Sequence, residues 1–472
     1  MKTKPTINHT FGTGKGVGTV GITMMHGENN VEMNVRARRL RVQGDIIPKM
    51  RPLGANRTTL VAALDIGSSK TTCLIARLKP RPAMEALARR THAIEIMSIG
   101  HATSYGMKAG TTSDIAQTED TVRKALDSAD CRGLEIRSAV LSVSGGRIRT
   151  QTYSGSVDMV GMVSDEDIAR VHAASRPNSV GTGRATLHCF PNSYSVGAVQ
   201  GIRDPRKMAA RRLGVKLHAV SIDWRVARNL IMALESCHVN VETMVASPYA
   251  AALSVLTDDD MDLGVAVIDL GAETTTMAVF LGGIPLHADG FALGGHHITM
   301  DLARGINAQI ADAERIKVWH GLTPSDDTTS VRELGEDGSS LSKVVVRSAI
   351  IRIIKPRVEE ILEMIRDRLA ASPFGELPRG HVVLTGGASQ LRGLPELAAR
   401  ILRCPVKIGR PLGIAGLTNE IKGPAFAVAT GLLVYPQAAH LECFARERRH
   451  SLGSGQSGYF AQVAEWLRDG FW

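Results

Sequence analysis

The sequence carries the same local pattern twice, about 200 residues apart. Each copy has an apolar run typical of a buried strand that ends in Asp-x-Gly, then a turn of small and hydroxyl residues, then a second apolar run. The first copy reads LVAALDI, GSSK and TTCLIARL from Leu60, and the second reads LGVAVIDL, GAETT and TMAVFL from Leu263. A repeat at this spacing predicts two similar domains that face one another.

The length and composition limit the class of protein. A chain of 472 residues exceeds one compact core, so about two to four domains are expected. The hydrophobic fraction of 44% and the charged fraction of 22% are those of an ordinary globular protein. We find no apolar run long enough for a spanning helix and no secretory signal. The six cysteines are scattered without a Cys-x-x-Cys pair, which predicts reduced thiols and not a zinc site.

Most of the net charge of +10 lies in the first segment. Residues 1–57 contain ten Lys and Arg against three Asp and Glu, and they show no sustained hydrophobic period. We therefore expect a disordered basic extension at 1–57, with ordered structure from Thr58. An alternative is that translation starts at Met33 or Met50. Because the remainder is close to neutral, no nucleic-acid partner is expected.

The rest of the chain shows further helix and strand patterns. Residues 145–220 combine short alternating segments, Gly and Pro breaks and a helical stretch, SDEDIARVHAAS, so a small inserted or separate domain is expected there. The other expected helices are 114–130, 225–238, 301–320, 341–370 and PELAARIL from Pro395, and the other expected strands are 139–144, Val239–Val245 and 381–387. A polar loop separates the helices at 301–320 and 341–370, and SLGSGQSG near the end predicts a flexible linker.

The first repeated turn has the chemistry of a phosphate site. Gly67 lets the backbone approach a phosphate closely, and successive backbone N–H groups can form a nest for an anion. The hydroxyls of Ser68 and Ser69 add donors, and Lys70 adds a positive charge. Asp65 would act through a hydrated Mg²⁺, which keeps several of its waters. The alternative for this turn alone is an ordinary hairpin connection.

The second repeated turn strengthens this interpretation, because two such turns can hold a triphosphate from opposite sides. Gly271 and Ala272 allow close approach of a phosphate. Thr274 and Thr275 can donate to its oxygens. Asp269 can hold a metal-bound water or orient an attacking one, which makes it the candidate catalytic residue.

Two further elements suit an adenosine. Gly386, Gly387 and Ala388 follow an apolar strand, and the two glycines allow a flat ring or a ribose to lie against the backbone. On the preceding helix, Glu314 could accept hydrogen bonds from ribose hydroxyls, and Lys317 could pack its stem on adenine. The alternatives are a helix-entry turn for the glycines and a solvated ion pair for Glu314 and Lys317.

These four elements, in this order along the chain, resemble the actin/Hsp70/sugar-kinase superfamily. Within it the resemblance narrows to the FtsA family, the actin homologues of bacterial cell division. The stretches that carry it are GMKAG from Gly106, LSVLTDDDMDLGVAVIDLG from Leu253, DAERIKVWHG from Asp312, VLTGGASQLRGL from Val383 and IGRPLGIAGLT from Ile408. The resemblance implies an α/β, actin-like two-lobed ATPase fold with two RNase H-like domains and an inserted 1C subdomain.

The resemblance also implies how the chain divides. The expected parts are subdomain 1A at 58–142 and 222–260, an SHS2-like subdomain 1C at 143–221, subdomain 2A at 261–300 and 378–437, subdomain 2B at 301–377, a flexible linker at 438–458 and a membrane-targeting helix at 459–472.

The second turn departs from the superfamily pattern. That pattern is usually Asp-[Ile/Leu]-Gly-Gly-Gly-Thr, often with an Asp two residues later, whereas this chain reads DLGAET with Thr276 at that place. Glu273 puts a carboxylate near the phosphates, which repels a nucleotide unless the side chain turns outward or meets Mg²⁺. We therefore expect ATP binding with at most slow hydrolysis.

The stretch YFAQVAEWLRDGFW at 459–472 predicts an amphipathic helix, because its large apolar residues fall on one stripe at helical spacing. A short helix rich in aromatic residues lies in the plane of a membrane surface. The residues expected to contact lipid are Phe460, Val463, Trp466, Leu467, Phe471 and Trp472. The alternative is a helix docked on the protein's own core, and the resemblance favours the membrane.

The resemblance implies an adaptor in cell division. It is expected to polymerise with itself, to contact FtsZ through subdomain 2B and to contact later division proteins through subdomain 1C. It would tether FtsZ filaments to lipids on the cytoplasmic side of the inner membrane, at the septum, as a peripheral protein. The alternatives are an actin-like scaffold for pili or cell shape, and a small-molecule kinase of the same superfamily, for which we find no kinase signature.

Overall fold

The computed structural model describes residues 47–54, 56–81, 87–129, 136–176, 183–323, 328–334, 340–377, 380–419 and 421–443. All of them belong to one unit that spans Val42–Trp472. Most of the expected extension, most of the expected linker and the whole expected membrane helix, with its lipid-facing residues from Phe460 to Trp472, lie outside the described residues. Among the helices that are described, none combines the length and the hydropathy that spanning a bilayer requires.

The first repeated unit opens a run of antiparallel strands, which a helix and a parallel strand follow. These elements are β1 (Thr59–Ile66), β2 (Lys70–Pro80), β3 (His92–Thr103), β4 (Met107–Lys108), β5 (Thr111–Thr112), α1 (Ile115–Ser128) and β6 (Ser138–Val143). Helix α1 begins after Asp114, whose side chain accepts a hydrogen bond from the Gln117 amide, as an N-cap does. The predicted hairpin, helix and strand of this stretch are confirmed.

Residues 149–223 form a separate four-stranded antiparallel sheet. Its elements are β7 (Arg149–Met162), α2 (Asp165–Ser175), β8 (Arg184–Val196), β9 (Val199–Ile202) and β10 (Ala209–Asp223), and the strand order is β7-β10-β8-β9. Alternation along β10 places Leu213, Val215 and Leu217 on one buried face, where they cluster with apolar residues of α2. The small domain and its helix are therefore where the sequence predicts them.

The chain then returns to the first sheet and crosses to the second half. The elements of this stretch are α3 (Trp224–Glu235), β11 (Asn240–Ala246), α4 (Ser247–Val255) and α5 (Asp258–Leu263). Strand β11 pairs parallel with β6. Every residue of α4 is buried, which is typical of a helix enclosed on all sides.

The second half repeats the plan of the first. Its elements are β12 (Val265–Leu270), β13 (Thr275–Leu281), β14 (Ile284–Phe291), α6 (Gly295–Gly305), α7 (Ile310–His320), β15 (Thr328–Leu334), β16 (Ser340–Val346), α8 (Arg347–Ala370), β17 (His381–Thr385), α9 (Leu394–Leu402) and β18 (Val406–Ile408). The chain then returns to the first half with β19 (Ile414–Ala415) and α10 (Ala427–Ala438).

The two main sheets share one strand order. The first is β3-β2-β1-β6-β11, extended by β19 beside β3, and the second is β14-β13-β12-β17-β18. In each sheet the first three strands of this order are antiparallel to one another. The third strand, β1 or β12, pairs on its other side with a parallel strand, β6 or β17. This duplicated order confirms the predicted α/β fold of two similar halves.

The structure corrects two predicted helices. The helix predicted at 301–320 is two helices, α6 and α7, because Asn307 adopts a φ of 49° and ends α6 with a left-handed residue. The helix predicted at 341–370 begins only at Arg347, because the preceding KVVV run is β-branched and belongs to β16. Strand β15 lies in the stretch that is expected to be a polar loop, and it forms an antiparallel hairpin with β16.

Order also extends beyond the predicted end of the folded body. The predicted linker bound at residue 438 is wrong for the first residues, because Ala438, Ala439 and Cys443 are buried. The Cys443 amide donates to the Cys189 carbonyl of β8 at 2.9 Å, so the chain is held against the inserted domain at this point.

At the other end, ordered structure begins before the predicted Thr58. Ile47 is 4% exposed and belongs to the core of the first half. Lys49 Nζ donates to the carbonyls of Thr186 and Leu187 at 2.9 and 2.7 Å, which ties this segment to β8. The last part of the predicted extension is therefore part of the folded body.

We expect Ile47→Ala to lower the free energy of unfolding by about 2 kcal/mol, because the change removes buried methyl and methylene groups and leaves a cavity. Urea unfolding of the full chain measures the effect. The matched control is Arg51→Ala at an exposed position, which should leave the unfolding midpoint in place. Equal midpoints for both variants would show that the segment is not part of the cooperative fold.

Candidate functional site

The two repeated turns have the same backbone geometry. The Gly67 amide donates to the Lys70 carbonyl at 3.1 Å, and the Gly271 amide donates to the Thr274 carbonyl at 2.9 Å. A Cβ added at either glycine would lie 2.9 Å from the carbonyl oxygen that it faces. Both turns therefore need glycine to close.

Equivalent aspartates stand near the ends of the two central strands. Asp65 of β1 pairs with Thr72 of β2, and Asp269 of β12 pairs with Thr276 of β13. Each aspartate therefore lies two residues before its turn glycine, with a threonine opposite. Two carboxylates enter one site from the two halves of the molecule.

These carboxylates and the lysine of the first turn perturb one another. Burial raises the pKa of Asp269 to about 7, and the charge of Asp65 adds to the shift. Burial also raises the pKa of Asp65, although a hydrogen bond from Ser142 Oγ at 2.6 Å opposes this. Burial lowers the pKa of Lys70 to about 8 against the attraction of both carboxylates. Lys70 Nζ lies 3.2 Å from the centre of the Phe426 ring, which is a cation–π contact.

The carboxylate pair fits a hard cation such as Mg²⁺. Oxygen donors suit this ion, and its charge would remove the repulsion that raises the pKa of Asp269. In the part of the chain that the structure describes, no group of three or more His, Cys, Asp and Glu side chains could hold a metal. Asp65 and Asp269 would therefore hold Mg²⁺ through its waters, and oxygens of a bound ligand would complete its coordination.

The N-terminus of α6 packs on the second turn. The amides of Gly295 and His296 donate to the carbonyls of Gly271 and Ala272 at 2.9 and 2.7 Å. Among the described residues, the amides of Ala272 and Glu273 donate to no main-chain carbonyl. These amides remain available for an anion, beside the positive end of a helix.

The two threonines of the second turn differ in availability. Thr274 is largely buried next to the turn, whereas Thr275 is completely buried in β13. Thr275 Oγ1 donates to the Leu293 carbonyl at 2.8 Å. The phosphate contact predicted for Thr275 therefore requires this bond to break. In the first turn, Ser68 is half-buried and Ser69 is exposed.

The glycine pair after β17 lies beside the second turn. A Cβ at Gly386 would lie 2.4 Å from Asp269 Oδ1, and the φ of Gly386 is +84°, so only glycine fits there. Gly387 is exposed, and a Cβ at this position would meet nothing nearer than Ala425 Cβ at 3.8 Å. The backbone at Gly387 and the half-buried Ala388 therefore offers open surface next to the carboxylates.

The Glu314–Lys317 pair forms, but it is only partly solvated. Lys317 is buried, and its Nζ donates to the Gly295 carbonyl, to Thr299 Oγ1 and to Glu314 Oε2 at 3.0, 2.9 and 2.7 Å. All three donors of the ammonium are thus used inside the protein. Glu314 is exposed and also accepts from Thr299. Lys317 therefore fixes the start of α6. This helix start lies against the residues after β17, because a Cβ at Gly295 would lie 2.8 Å from Ala388 Cβ.

The hairpin of β4 and β5, in the first half, contacts both turns. The Gly110 amide lies 3.4 Å from Ser68 Oγ, and the Ala109 amide donates to Glu273 Oε2 at 2.6 Å. The side chain of Glu273 does not turn outward in this structure. The carboxylate instead bonds to the backbone of the opposite half.

The four predicted elements therefore meet in one place, and the structure adds residues that the sequence patterns do not predict. They are Ala109, Ser142, Gly295, Thr299 and Phe426. Two of them had a usable signal: Gly295 belongs to a Gly-Gly pair at a helix entry, as Gly387 does, and Ala109 belongs to the GMKAG stretch that carries the family resemblance. The others are ordinary residues whose role depends on contacts that are distant in sequence.

Comparison with known proteins identifies the relatives of this chain. Residues 266–431 match the family model described as cell division protein FtsA, and residues 145–221 match the SHS2 domain inserted in FtsA. Cell division protein FtsA of Agrobacterium fabrum is 44% identical over 434 residues, which are 90% of this chain and 98% of that protein. The Escherichia coli protein of the same name is 29% identical over 426 residues, covering 87% of this chain and 98% of that protein.

A solved structure shows the same fold. The PilM-PilN type IV pilus biogenesis complex contains a chain that matches with a TM-score of 0.56 at 18% identity, over 80% of this chain and 98% of that chain. At this identity the likeness shows the fold alone. The fold is therefore actin-like, and the domain inserted in it at residues 145–221 is of the SHS2 type.

Proposed function

The chain belongs to the FtsA family of cell division proteins, and we propose that it is the nucleotide-binding adaptor that tethers FtsZ filaments to the cytoplasmic membrane at the septum. The proposed nucleotide is ATP with Mg²⁺. The proposed subdomains are those that the resemblance implies, with FtsZ bound by 2B and later division proteins by 1C.

The observation that carries nucleotide binding is the equivalence of the two turns, each with its own aspartate and closing glycine. Two facing turns hold a chain of phosphates from both sides, and the carboxylate pair favours the metal that accompanies it. The proposed phosphate-binding residues are Gly67, Ser68, Ser69, Lys70, Gly271, Ala272, Thr274 and Thr275, and the proposed adenosine-binding residues are Glu314, Lys317, Gly386, Gly387 and Ala388.

Hydrolysis is proposed to be slow at most. Asp269 is the residue that would orient an attacking water, and Glu273 places a second carboxylate beside the same turn. Thr276 stands where the superfamily often has a second acid. These features suit a nucleotide that sets the state of the protein more than one that is turned over quickly.

Attachment to the membrane is proposed for the helix at 459–472, on the strength of its apolar stripe and aromatic residues. One short helix binds a bilayer weakly, so self-assembly into filaments would add many such anchors together. The same assembly would present many FtsZ-binding surfaces along one filament. We infer a peripheral location on the cytoplasmic side of the inner membrane from this arrangement.

Binding of a fluorescent ATP analogue to the full chain, with and without Mg²⁺, tests the nucleotide site. We expect Gly387→Asp to weaken the affinity for the ATP analogue at least about tenfold, because a carboxylate would lie on the surface proposed for adenosine. The variant should fold normally, since a Cβ at Gly387 has open space. The matched control is Gly54→Asp, where a Cβ would meet only Arg57 Cβ at 3.7 Å. An unchanged affinity in Gly387→Asp would refute this placement of adenosine.

A further inference from the structure

The hairpin of β4 and β5 is built around two left-handed residues. Met107 pairs with Thr112 and Lys108 pairs with Thr111, so Ala109 and Gly110 are the two central residues of the turn. Their φ values are 51° and 70°. Turns of this kind favour Asn-Gly or Gly-Gly, and alanine at the first central position is held there against its own preference.

The tip of this hairpin is fixed by backbone packing. A Cβ on Gly110 would lie 2.7 Å from the amide nitrogen of Gly145, and a Cβ on Gly145 would lie 2.3 Å from the Gly110 carbonyl oxygen. Two glycine backbones therefore touch where no side chain fits. The position of the tip is set by the first half and does not depend on flexible side chains.

The two central amides of the tip point to different turns. The Gly110 amide lies 3.4 Å from Ser68 Oγ of the first turn, and the Ala109 amide donates to the Glu273 carboxylate of the second turn at 2.6 Å. The second contact is short and charge-assisted, as expected for an anion held by a main-chain donor. The tip thus lies between the two phosphate turns and already binds one negative group.

We propose that the Ala109 amide is a binding site for the terminal phosphate of ATP, and that Glu273 is an internal competitor which occupies it when that phosphate is absent. This inference rests on the proposed ATP site. A carboxylate and a phosphate at the same half-buried donor repel each other, so only one of them is held at a time. ATP therefore replaces the Glu273 bridge between the halves with its own, whereas ADP leaves that bridge in place.

Equilibrium binding of fluorescent ATP and ADP analogues to the full chain tests the proposal. We expect Glu273→Ala to tighten ATP about tenfold, because one charged competitor is lost, and to change ADP by less than about twofold. Glu273→Gln keeps an acceptor for the Ala109 amide without the charge. Its ATP affinity should therefore lie between that of wild type and that of Glu273→Ala. The matched control is Glu363→Ala, which removes an exposed carboxylate on α8 and should change neither affinity.

Hydrogen exchange of a peptide that covers Tyr105–Thr112 gives an independent readout. Exchange should be faster in nucleotide-free Glu273→Ala than in wild type, ATP should restore protection in the variant, and ADP should not. An unchanged ratio of ATP to ADP affinity in Glu273→Ala, or weaker ATP binding, would overturn the competition. Failure of the wild-type chain to bind either nucleotide would overturn the ATP site itself, which is a separate result.

Discussion

Asp269→Asn is expected to stabilise the nucleotide-free protein at pH 8 by about 3–4 kcal/mol, and at pH 5 by less than half of that. The folded state raises the pKa of Asp269 from 3.8 to about 7. The carboxyl therefore adds stability below about pH 4 that is lost as the pH rises through 7, because folding then buries a charge. Asparagine has no charge to bury, so the variant escapes this loss.

The same substitution should abolish the dependence of ATP binding on Mg²⁺, since only Asp65 would remain to hold the metal. Urea unfolding at the two pH values and ATP titrations with and without Mg²⁺ measure the two effects. The matched control is Asp259→Asn at an exposed position on α5, which should alter neither. If Asp269→Asn were no more stable than wild type at pH 8, burial would not disfavour the charged form of Asp269.

A gain in stability together with a loss of binding is the signature of a functional site, because such sites hold groups in unfavourable surroundings for the sake of a ligand. Asp65, Asp269 and Lys70 each have a pKa displaced by burial in the direction that disfavours the charged form. A cation between the acids, and phosphates beside the lysine, would reverse those costs. The ligand-free electrostatics therefore support the same occupant as the geometry of the turns.

Local patterns were enough to predict the duplicated fold and both turns. Each turn is a contiguous stretch in which two apolar strands flank Asp-x-Gly, so the glycine that closes it and the aspartate before it are readable from neighbours in sequence. The helix predicted at 301–320 failed for a local reason as well, since Asn307 adopts a left-handed conformation that the apolar spacing does not reveal.

Contacts between distant residues could not be predicted in this way. Glu273 was recognised as an anomaly, but the Ala109 amide that it meets is 164 residues away in sequence. Lys317 is predicted to pack its stem on adenine, and the Gly295 carbonyl that holds its ammonium is 22 residues away in sequence. A polar side chain takes whichever partner tertiary packing supplies, and a single sequence does not contain that information.

Truncation after Gly458 is expected to remove about 90% or more of the binding to anionic phospholipid vesicles, because the six residues predicted to contact lipid all lie beyond this point. Binding of the full chain should fall steeply on dilution below the concentration at which it assembles, since a filament adds many weak anchors. Vesicle co-sedimentation at several protein concentrations measures both effects.

The fold should survive this truncation, because the described chain ends in contacts that the cut leaves intact. Cys443 bonds to Cys189 through the backbone, and His188 Nδ1 lies 2.9 Å from the buried carboxylate of Glu442. In the full chain, Trp466→Glu should reproduce the loss of vesicle binding, whereas Gln462→Glu on a polar sector of the helix should largely retain it. Undiminished sedimentation of the truncated protein would place the membrane contact on the folded body, and the adaptor would then hold FtsZ filaments through a surface other than its last helix.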